Sequence, residues 1–256
     1  MSVNNQSRCF STALAIKQAF LISYMMGVIF VRRNPIRIVL EVSIPFSFLF
    51  VLFVISGGEH IHLALAGTLI MAFGSSGIWV GMDIAENKIE YKMQDIFVSS
   101  PVSPVIYLAG LALAQLVVAA LPLSILAGFV IYFSGSLLNT PLLAATVIII
   151  FGTMAAIGFF VSSHISLLRT VNDSIVALMI VLGMLPPVYY SVQILPTELQ
   201  YLAYAIPTTH ASLNLQYIMD LPTPQNWSLG FSFAIMAAYF TGFLILAMTK
   251  AGWREK

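Results

Sequence analysis

Six long apolar stretches alternate with short polar segments along most of the chain. A helix needs about 20 predominantly apolar residues to cross the hydrocarbon core of a bilayer, and five stretches reach that length without interruption. The sixth is interrupted by Pro186 and Pro187. The pattern therefore predicts an all-α membrane protein with six transmembrane helices, at residues 38–56, 63–82, 105–133, 141–162, 174–194 and 228–249.

The polar segment after the second stretch is unusually charged for this chain. Six charged residues fall within thirteen consecutive positions that begin at Asp83. The spacing predicts a helix over 84–99, with apolar residues recurring at intervals of four, four and three from Ala85. Its like-charge pairs four residues apart weaken an isolated helix, so the pattern favours a surface that binds a partner. The residues assigned to this 86–96 surface are Glu86, Lys88, Ile89, Glu90, Lys92, Met93, Asp95 and Ile96.

Composition supports the membrane class. The chain is 59% hydrophobic and 8% charged, with a mean hydropathy of +0.95, whereas a soluble domain carries about 25% charged residues. Its 256 residues make one membrane domain, and a net charge of +1 gives no reason to expect a nucleic-acid partner. Cys9 is the single cysteine, which excludes an internal disulfide and a CxxC metal site. We expect no removable signal peptide, because no small-residue cleavage site follows a short apolar core.

Basic residues are distributed very unevenly between the two sides of the predicted membrane domain. If six helices span and the amino terminus is cytoplasmic, all eleven Lys and Arg residues lie inside. The outer loops then hold acidic residues and histidines but no lysine or arginine. Because cytoplasmic loops carry the excess of basic residues, the asymmetry predicts a multi-pass protein of the cell membrane with both termini cytoplasmic.

Residues 10–33 are open to two interpretations. The segment is apolar enough for a seventh span, but Lys17 would then lie within the bilayer and Arg8 outside the cell. The alternative is an N-terminal helix in the cytoplasmic interface, joined to the first span by the basic cluster from Arg32 to Arg37. The interfacial helix is the preferred interpretation.

The segment 195–221 is apolar, but its parts are too short to cross the membrane. Two helices of about ten residues each are predicted around Pro207, the second capped by Thr208 and Thr209. A re-entrant hairpin in the outer leaflet satisfies this pattern if protein covers its turn, and its polar residues are expected to meet water. The residues predicted to close a route at the outer face, here called the outer gate, are Leu202, Ile206, Pro207, Thr208 and Thr209.

Two motifs resemble those of the permease subunits of ABC type 2 exporters. Residues 100–103 read Ser-Pro-Val-Ser, similar to the end of the family's coupling helix. Residues 195–200 read Leu-Pro-Thr-Glu-Leu-Gln and precede an apolar run and Pro207, as in the family's outer hairpin. The order of elements also matches, although Asn87-Lys88 replaces the Arg-Gly pair often found near the start of the coupling helix. The motif spacing of the polysaccharide-exporting branch is absent, which favours the drug- or lipid-exporting branch.

The resemblance implies a homodimer that binds two copies of a separate ABC ATPase. This chain contains no Gly-Lys pair, and therefore no GxxxxGK[ST] phosphate loop, so ATP and Mg would be bound by the partner subunit and no cofactor is expected here. The coupling helix would correspond to 84–99, and the route would follow the dimer interface, shaped by spans one, two and five. The mostly apolar route favours export of an amphipathic, drug-like or lipid-like substrate.

Two pairs of opposite charge are spaced four residues apart, Arg37 with Glu41 and Arg169 with Asp173, and both are predicted to be local ion pairs. No acidic residue lies in the middle of a predicted span, which argues against a proton-coupled carrier. The competing class is a six-helix secondary transporter or channel without an ATPase, which should show intramembrane charges or inverted repeats. A third class is a membrane-anchored assembly factor without transport.

The remaining candidates have simpler structural explanations. Glu59, His60 and His62 are better explained as an ordinary polar loop than as a metal site. Gly152 and Gly158 are predicted to serve helix packing rather than ligand binding. No nucleophile, base and orienting group occur together in the pattern, so we expect a transport subunit and not an enzyme.

Overall fold

The computed structural model describes residues 14–93, 102–225 and 227–250, which form helices joined by short turns. The helices are α1 (Leu14–Arg33), α2 (Ile36–Ile55), α3 (Ile61–Ala85), α4 (Pro104–Val118), α5 (Ala120–Ser134), α6 (Thr140–His164), α7 (Leu168–Met179), α8 (Thr197–Tyr204), α9 (Pro207–Ile218) and α10 (Leu229–Lys250). A π-helical turn lies within α1, and two others directly follow α3 and α7, at Tyr24–Ile29, Glu86–Glu90 and Ile180–Met184. No strand occurs in these residues, so the all-α prediction is confirmed.

Five helices are long and apolar enough to cross a membrane, namely α1, α2, α3, α6 and α10. A sixth span is reached if α4 and α5, which are bent by 71° relative to each other, count as one. The membrane character predicted from the sequence is supported. Because α1 is itself among the five, the interfacial placement of residues 10–33 stays a prediction.

The third apolar stretch, predicted as one continuous span over 105–133, is two helices that meet at Ala119. Pro122 explains the bend. Its nitrogen has no hydrogen to donate to the carbonyl of Val118, and its ring would clash with that carbonyl in a continuous helix. As the third residue of α5, Pro122 lies in the first turn, where no such donor is needed.

The fifth stretch, predicted as a span over 174–194, also differs. α7 begins earlier, at Leu168, and its twelve residues are extended by a π-helical turn of five. The helix ends before Pro186, because proline donates no backbone hydrogen bond and its ring would clash with the preceding turn. Residues 186–196 form turns and a short 3₁₀ segment. The helix is short for a straight crossing, so the six-span topology stays a prediction.

α3 and α6 pack together more extensively than any other described pair of helices, and glycines allow their close approach. A Cβ added to Gly158 would lie 2.5 Å from the carbonyl oxygen of Ile78, and one added to Gly81 would lie 2.6 Å from the carbonyl carbon of Gly158. Gly152 similarly faces the ring of Phe240 on α10. The predicted packing role of Gly152 and Gly158 is confirmed, since small residues let membrane helices interlock.

α2 lies at the edge of the domain. None of its residues is buried by the described part of the chain, and Ile44, Phe50 and Ile55 expose large apolar surfaces. Its main contacts are with α3 and α5. A hydrophobic helix with this exposure must face lipid or another protein chain.

Within the described residues, the segment predicted as a separate helix over 84–99 begins as a continuation of α3. α3 continues into its π-helical turn, and the chain leaves the helix at Tyr91, with a left-handed backbone at Lys92 (φ 50°). Ile89, predicted to face a partner, packs partly against the core of this chain. Asp95 and Ile96 lie outside the described residues. Up to Glu90, the charged segment is therefore the continuation of α3, and residues 91–93 form the turn that follows it.

Candidate functional site

A cavity of about 360 Å³ lies between α2, α3, α5 and α7. Its volume falls within the range of sites that hold a small molecule. In the sequence, α2, α3 and α7 belong to the first, second and fifth apolar stretches, and α5 is the second half of the third stretch. The helices predicted to shape a route therefore meet around this space.

An ion pair lies at one end of the cavity. Arg37 Nε donates to Glu41 Oε1 at 3.1 Å along one turn of α2, and both residues line the cavity. This predicted ion pair is confirmed. Trp79 is the last residue of α3 that lines the cavity, and Asp83 and Glu86 follow it within about two helical turns. The charged end of the cavity is therefore also the end that carries the 86–96 surface.

Aromatic and methionine side chains form much of the apolar wall. Phe48 on α2 and Tyr189 after α7 pack with ring centroids 4.8 Å apart, and both line the cavity. Met71 on α3 reaches the cavity, as do Met179 and Met184 from α7 and its π-helical turn. Methionine is flexible and polarisable, so this wall can adapt to ligands of different shape.

Polar groups lie along the α3 wall. Thr68, Ser75, Ser76 and Trp79 line the cavity. Thr68 and Ser75 donate to carbonyls of the preceding turn at 2.8 and 3.1 Å, which leaves their oxygen lone pairs able to accept. Sequence reasoning missed these four residues. The Gly-Ser-Ser-Gly run at 74–77, in the middle of an apolar stretch, is the signal that points to Ser75 and Ser76.

Two short helices form on either side of Pro207, as predicted. The second, α9, packs among α3, α6 and α10, and every residue from 207 to 216 is buried. Its polar residues, expected to meet water, are instead enclosed by protein. A helix with this many polar groups can be buried in a membrane domain only if most of them form hydrogen bonds.

Thr208 and Thr209 do not cap α9 as predicted. Pro207 occupies the first position of the helix, where a backbone N–H would have no acceptor within the helix. The N-cap residue before it is Ile206. Thr208 instead donates to the carbonyl of Leu182 in the π-helical turn after α7. Such a turn departs from the regular hydrogen-bond ladder and presents a carbonyl to a neighbour. Thr209 Oγ1 is buried and has no hydrogen-bond partner among the described residues.

Other buried groups of α9 bond to neighbouring elements. His210 Nε2 lies 2.8 Å from the carbonyl of Tyr204 and must donate to it, because a carbonyl only accepts. The hydroxyl of Ser232 on α10 donates to the carbonyl of His210 at 3.1 Å, and its oxygen also lies 3.2 Å from Nδ1 of the same residue. Asn214 Nδ2 donates to the Thr146 hydroxyl on α6 at 3.4 Å. These bonds fix α9 between α6 and α10.

The predicted outer gate is only partly buried. Leu202 on α8 is 64% exposed, and Ile206 is half-buried. Tyr239 on α10 donates its hydroxyl to the carbonyl of Ala205 and so holds the end of α8. In a single chain, alanine at Leu202 would leave no cavity, because the side chain already faces away from the core. The role of Leu202 in closing the outer face therefore stays a prediction.

The 86–96 surface is exposed mainly at its turn. Glu90, Tyr91 and Lys92 are exposed, and Tyr91 presents 59% of its surface. The sequence pattern missed Tyr91, because it lies off the apolar stripe. The other described members are half-buried, namely Glu86, Lys88, Ile89 and Met93.

Two further predictions can be compared with the structure. Arg169 and Asp173 are both exposed and form no ion pair within the described structure, so the second predicted pair is wrong. The ring of His62 packs edge-on against Phe133, with centroids 4.9 Å apart. No three His, Cys, Asp or Glu side chains in the described residues come together as a metal site.

Comparison with known proteins adds no relative. No protein-family model matches this chain, and no curated protein matches it. The resemblance to ABC type 2 permeases therefore rests on residues 100–103 and 195–200 and on the order of elements. Sequence and structure together define an α-helical protein of membrane character with an amphipathic cavity.

Proposed function

We propose that this chain is the transmembrane permease subunit of an ATP-binding-cassette exporter and moves an amphipathic, drug-like or lipid-like substrate out of the cytoplasm. One observation carries the proposal. α3 lines the cavity and continues through its π-helical turn to Glu90, where the exposed turn at 90–92 begins. A force applied at that end is transmitted along the helix to the cavity wall. The ATPase that supplies this force is a separate subunit.

The packing of α3 supports a rigid-body mechanism. Its glycine contacts with α6 leave no room for the two helices to slide, so α3 and α6 would move as one unit. α2, on the far side of the cavity, has no buried residue within the described structure and is free to shift. Movement of the α3–α6 unit against α2 would widen or close the cavity as the ATPase subunits close and reopen.

The proposed assembly contains two copies of this chain and two ATPase subunits. The exposed apolar face of α2 supports a second copy in the membrane, with lipid covering the remainder. The exposed turn at 90–92 would contact the ATPase. ATP and Mg would be held by that subunit, because this chain has no phosphate loop.

Purified chain alone is expected to hydrolyse no ATP, and hydrolysis stimulated by substrate should appear only with an ABC ATPase. The test is co-purification with tagged candidate ATPases, followed by reconstitution in liposomes with and without each of them. Substrate flux through this chain alone, without ATP, would contradict the proposal and favour the competing six-helix secondary transporter or channel.

Cysteine labelling should show both termini inside the cell. Single cysteines at Glu59, Ser136 and Glu198, in a Cys9→Ser background, are expected to react with an impermeant maleimide on intact cells. A cysteine at Lys92 should react only after permeabilisation, because the basic residues define the cytoplasmic side. Labelling of Lys92 from outside would invert the topology and place the 86–96 surface away from any cytoplasmic ATPase.

Cys9 distinguishes the two interpretations of α1. In the otherwise native chain, labelling of Cys9 from outside would show that α1 crosses the membrane. Labelling only after permeabilisation would support the interfacial helix.

A further inference from the structure

We propose that Met71, backed by Gly183, limits the length of the ligand that the cavity between α2, α3, α5 and α7 accepts, and that this ligand is an elongated amphiphile lying along α3. This inference rests on the proposed function and names a residue that determines the substrate specificity of the same cavity. It depends on the shape of the cavity and on a second, smaller space beside it.

The cavity is elongated. Its α3 wall extends from Thr68 to Trp79, which is about 16 Å along the helix at roughly 1.5 Å per residue. A short turn joins α2 to α3 and the two helices pack together, so they run antiparallel, and the α2 wall extends alongside from Phe48 to Arg37. Arg37 and Glu41, the charged residues of the lining, lie at one end and are paired with each other. A molecule with one polar end and a long apolar body fits this shape and needs no net charge.

A second space of about 10 Å³, enough for about one water molecule, adjoins the cavity. Met71, Ser75 and Met179 line both spaces, so these side chains separate one from the other. Three apolar residues that line only the small space are buried in the core, namely Ile70, Ile78 and Met154. Met71 lies about one helical turn from Thr68, at the end of the cavity opposite the ion pair. Because a methionine side chain is flexible, the position of Met71 depends on what lies behind it.

Gly183, in the π-helical turn after α7, lies directly behind Met71. A Cβ added to Gly183 would be 2.6 Å from Sδ of Met71, so the thioether packs against the backbone of the turn. Gly183 lines the small space and not the cavity, so a methyl group added there would displace Met71 toward the cavity and reduce the length available to a ligand. Gly74 also lines the small space, but a Cβ there would lie 3.8 Å from Cγ of Met154, an ordinary contact that leaves Met71 in place.

Photolabelling with uncharged 1-alkanols of increasing chain length tests the proposal. Each probe carries a diazirine at its third carbon, which loses N₂ on irradiation and leaves a carbene that inserts into a neighbouring bond. Mass spectrometry of the purified full chain, irradiated in detergent micelles, measures the labelled fraction of the cavity residues. We expect labelling that saturates with probe concentration and is lost above a cut-off chain length, because a longer chain would have to displace Met71. The probes carry no charge, so the cut-off depends on length alone.

The two residues should move the cut-off in opposite directions. Gly183→Ala is expected to lower it by about one to two carbons, because packed interiors respond to the volume of a single methylene. Met71→Ala should raise it by about two carbons or more, because truncation joins the cavity to the small space. Gly74→Ala is the matched control and should leave the cut-off unchanged, since it adds the same methyl group to the same small space without touching Met71. All variants are compared in one detergent, so partition of each probe into micelles cancels.

An unchanged cut-off in both Gly183→Ala and Met71→Ala, an equal shift in Gly74→Ala, or labelling that does not saturate would overturn the proposal. Size-exclusion profiles establish that each variant is folded, and if Met71→Ala is not, Gly183→Ala and its control decide alone. The assay contains no ATPase, so its result is independent of the proposed coupling. A cut-off that moves as expected in a chain that binds no ABC ATPase would support the length limit and refute the exporter. ATPase-dependent transport with a cut-off that does not move would do the reverse.

Discussion

Replacing Gly81 by alanine is expected to destabilise the domain by about 2–3 kcal/mol, at the upper end of typical overpacking costs. The added Cβ would lie 2.6 Å from the carbonyl carbon of Gly158, and real Cβ atoms essentially never come that close to another atom. The obstacle is backbone rather than a mobile side chain, so α3 and α6 would have to separate. Because these helices form the centre of the domain, the substitution should lower the stability of the whole domain.

The measurement is the midpoint of thermal denaturation of detergent-purified protein, followed by size-exclusion chromatography after heating. For a chain of this size, the expected loss corresponds to a decrease of roughly 4–12 °C. Gly242→Ala on α10 is the matched control, because a Cβ there would meet no described atom within 4 Å. Alanine favours a helix more than glycine does, so the control should be neutral or slightly stabilising. Equal midpoints for the two variants would show that α3 and α6 do not interlock.

If the proposed function is right, charge reversal at Glu90 should uncouple the chain from its ATPase partner while leaving it folded and inserted. Glu90 is exposed beside Tyr91, at the end of the helix that lines the cavity. Losing a charge pair at an interface typically costs about 2 kcal/mol or more, which weakens binding by over tenfold. We expect Glu90→Lys to lower ATPase co-purification and transport together, with the expression level and size-exclusion profile of the chain unchanged. Tyr91→Ala should have a similar effect, because exposed aromatic residues often anchor interfaces.

Glu59→Lys is the matched control for this experiment, since it reverses one exposed charge in the turn after α2. ATPase binding and transport should stay at the level of the unmodified chain. Ile89→Asp is a less specific test than the sequence pattern indicates, because Ile89 packs against the core of its own chain. Its substitution would destabilise the domain whether or not a partner binds there. Full ATPase binding by both Glu90→Lys and Tyr91→Ala would show that the partner contacts another surface.

Several features follow from local rules that apply in any fold. Runs of about 20 apolar residues cannot remain in water, so composition alone predicts a helical membrane domain. The spacing of Arg37 and Glu41 predicts their ion pair, because residues four apart share one helix face. Pro207 likewise separates two short helices wherever they lie, since its ring fits the start of a helix and not its interior.

Other features depend on contacts between distant parts of the chain, and no local pattern carries them. Pro122 indicates where the third apolar stretch breaks, but no local pattern gives the 71° angle between α4 and α5. The sequence does not predict the burial of α9, because polar residues such as those of α9 are typical of an exposed helix. Only the fold brings Thr146 on α6 and Ser232 on α10 within hydrogen-bond distance of them. The cavity forms only where four helices that are distant in the sequence come together. Apolar periodicity determined which segments are helices, whereas tertiary packing decided which of their faces enclose a ligand-sized space and which face outward.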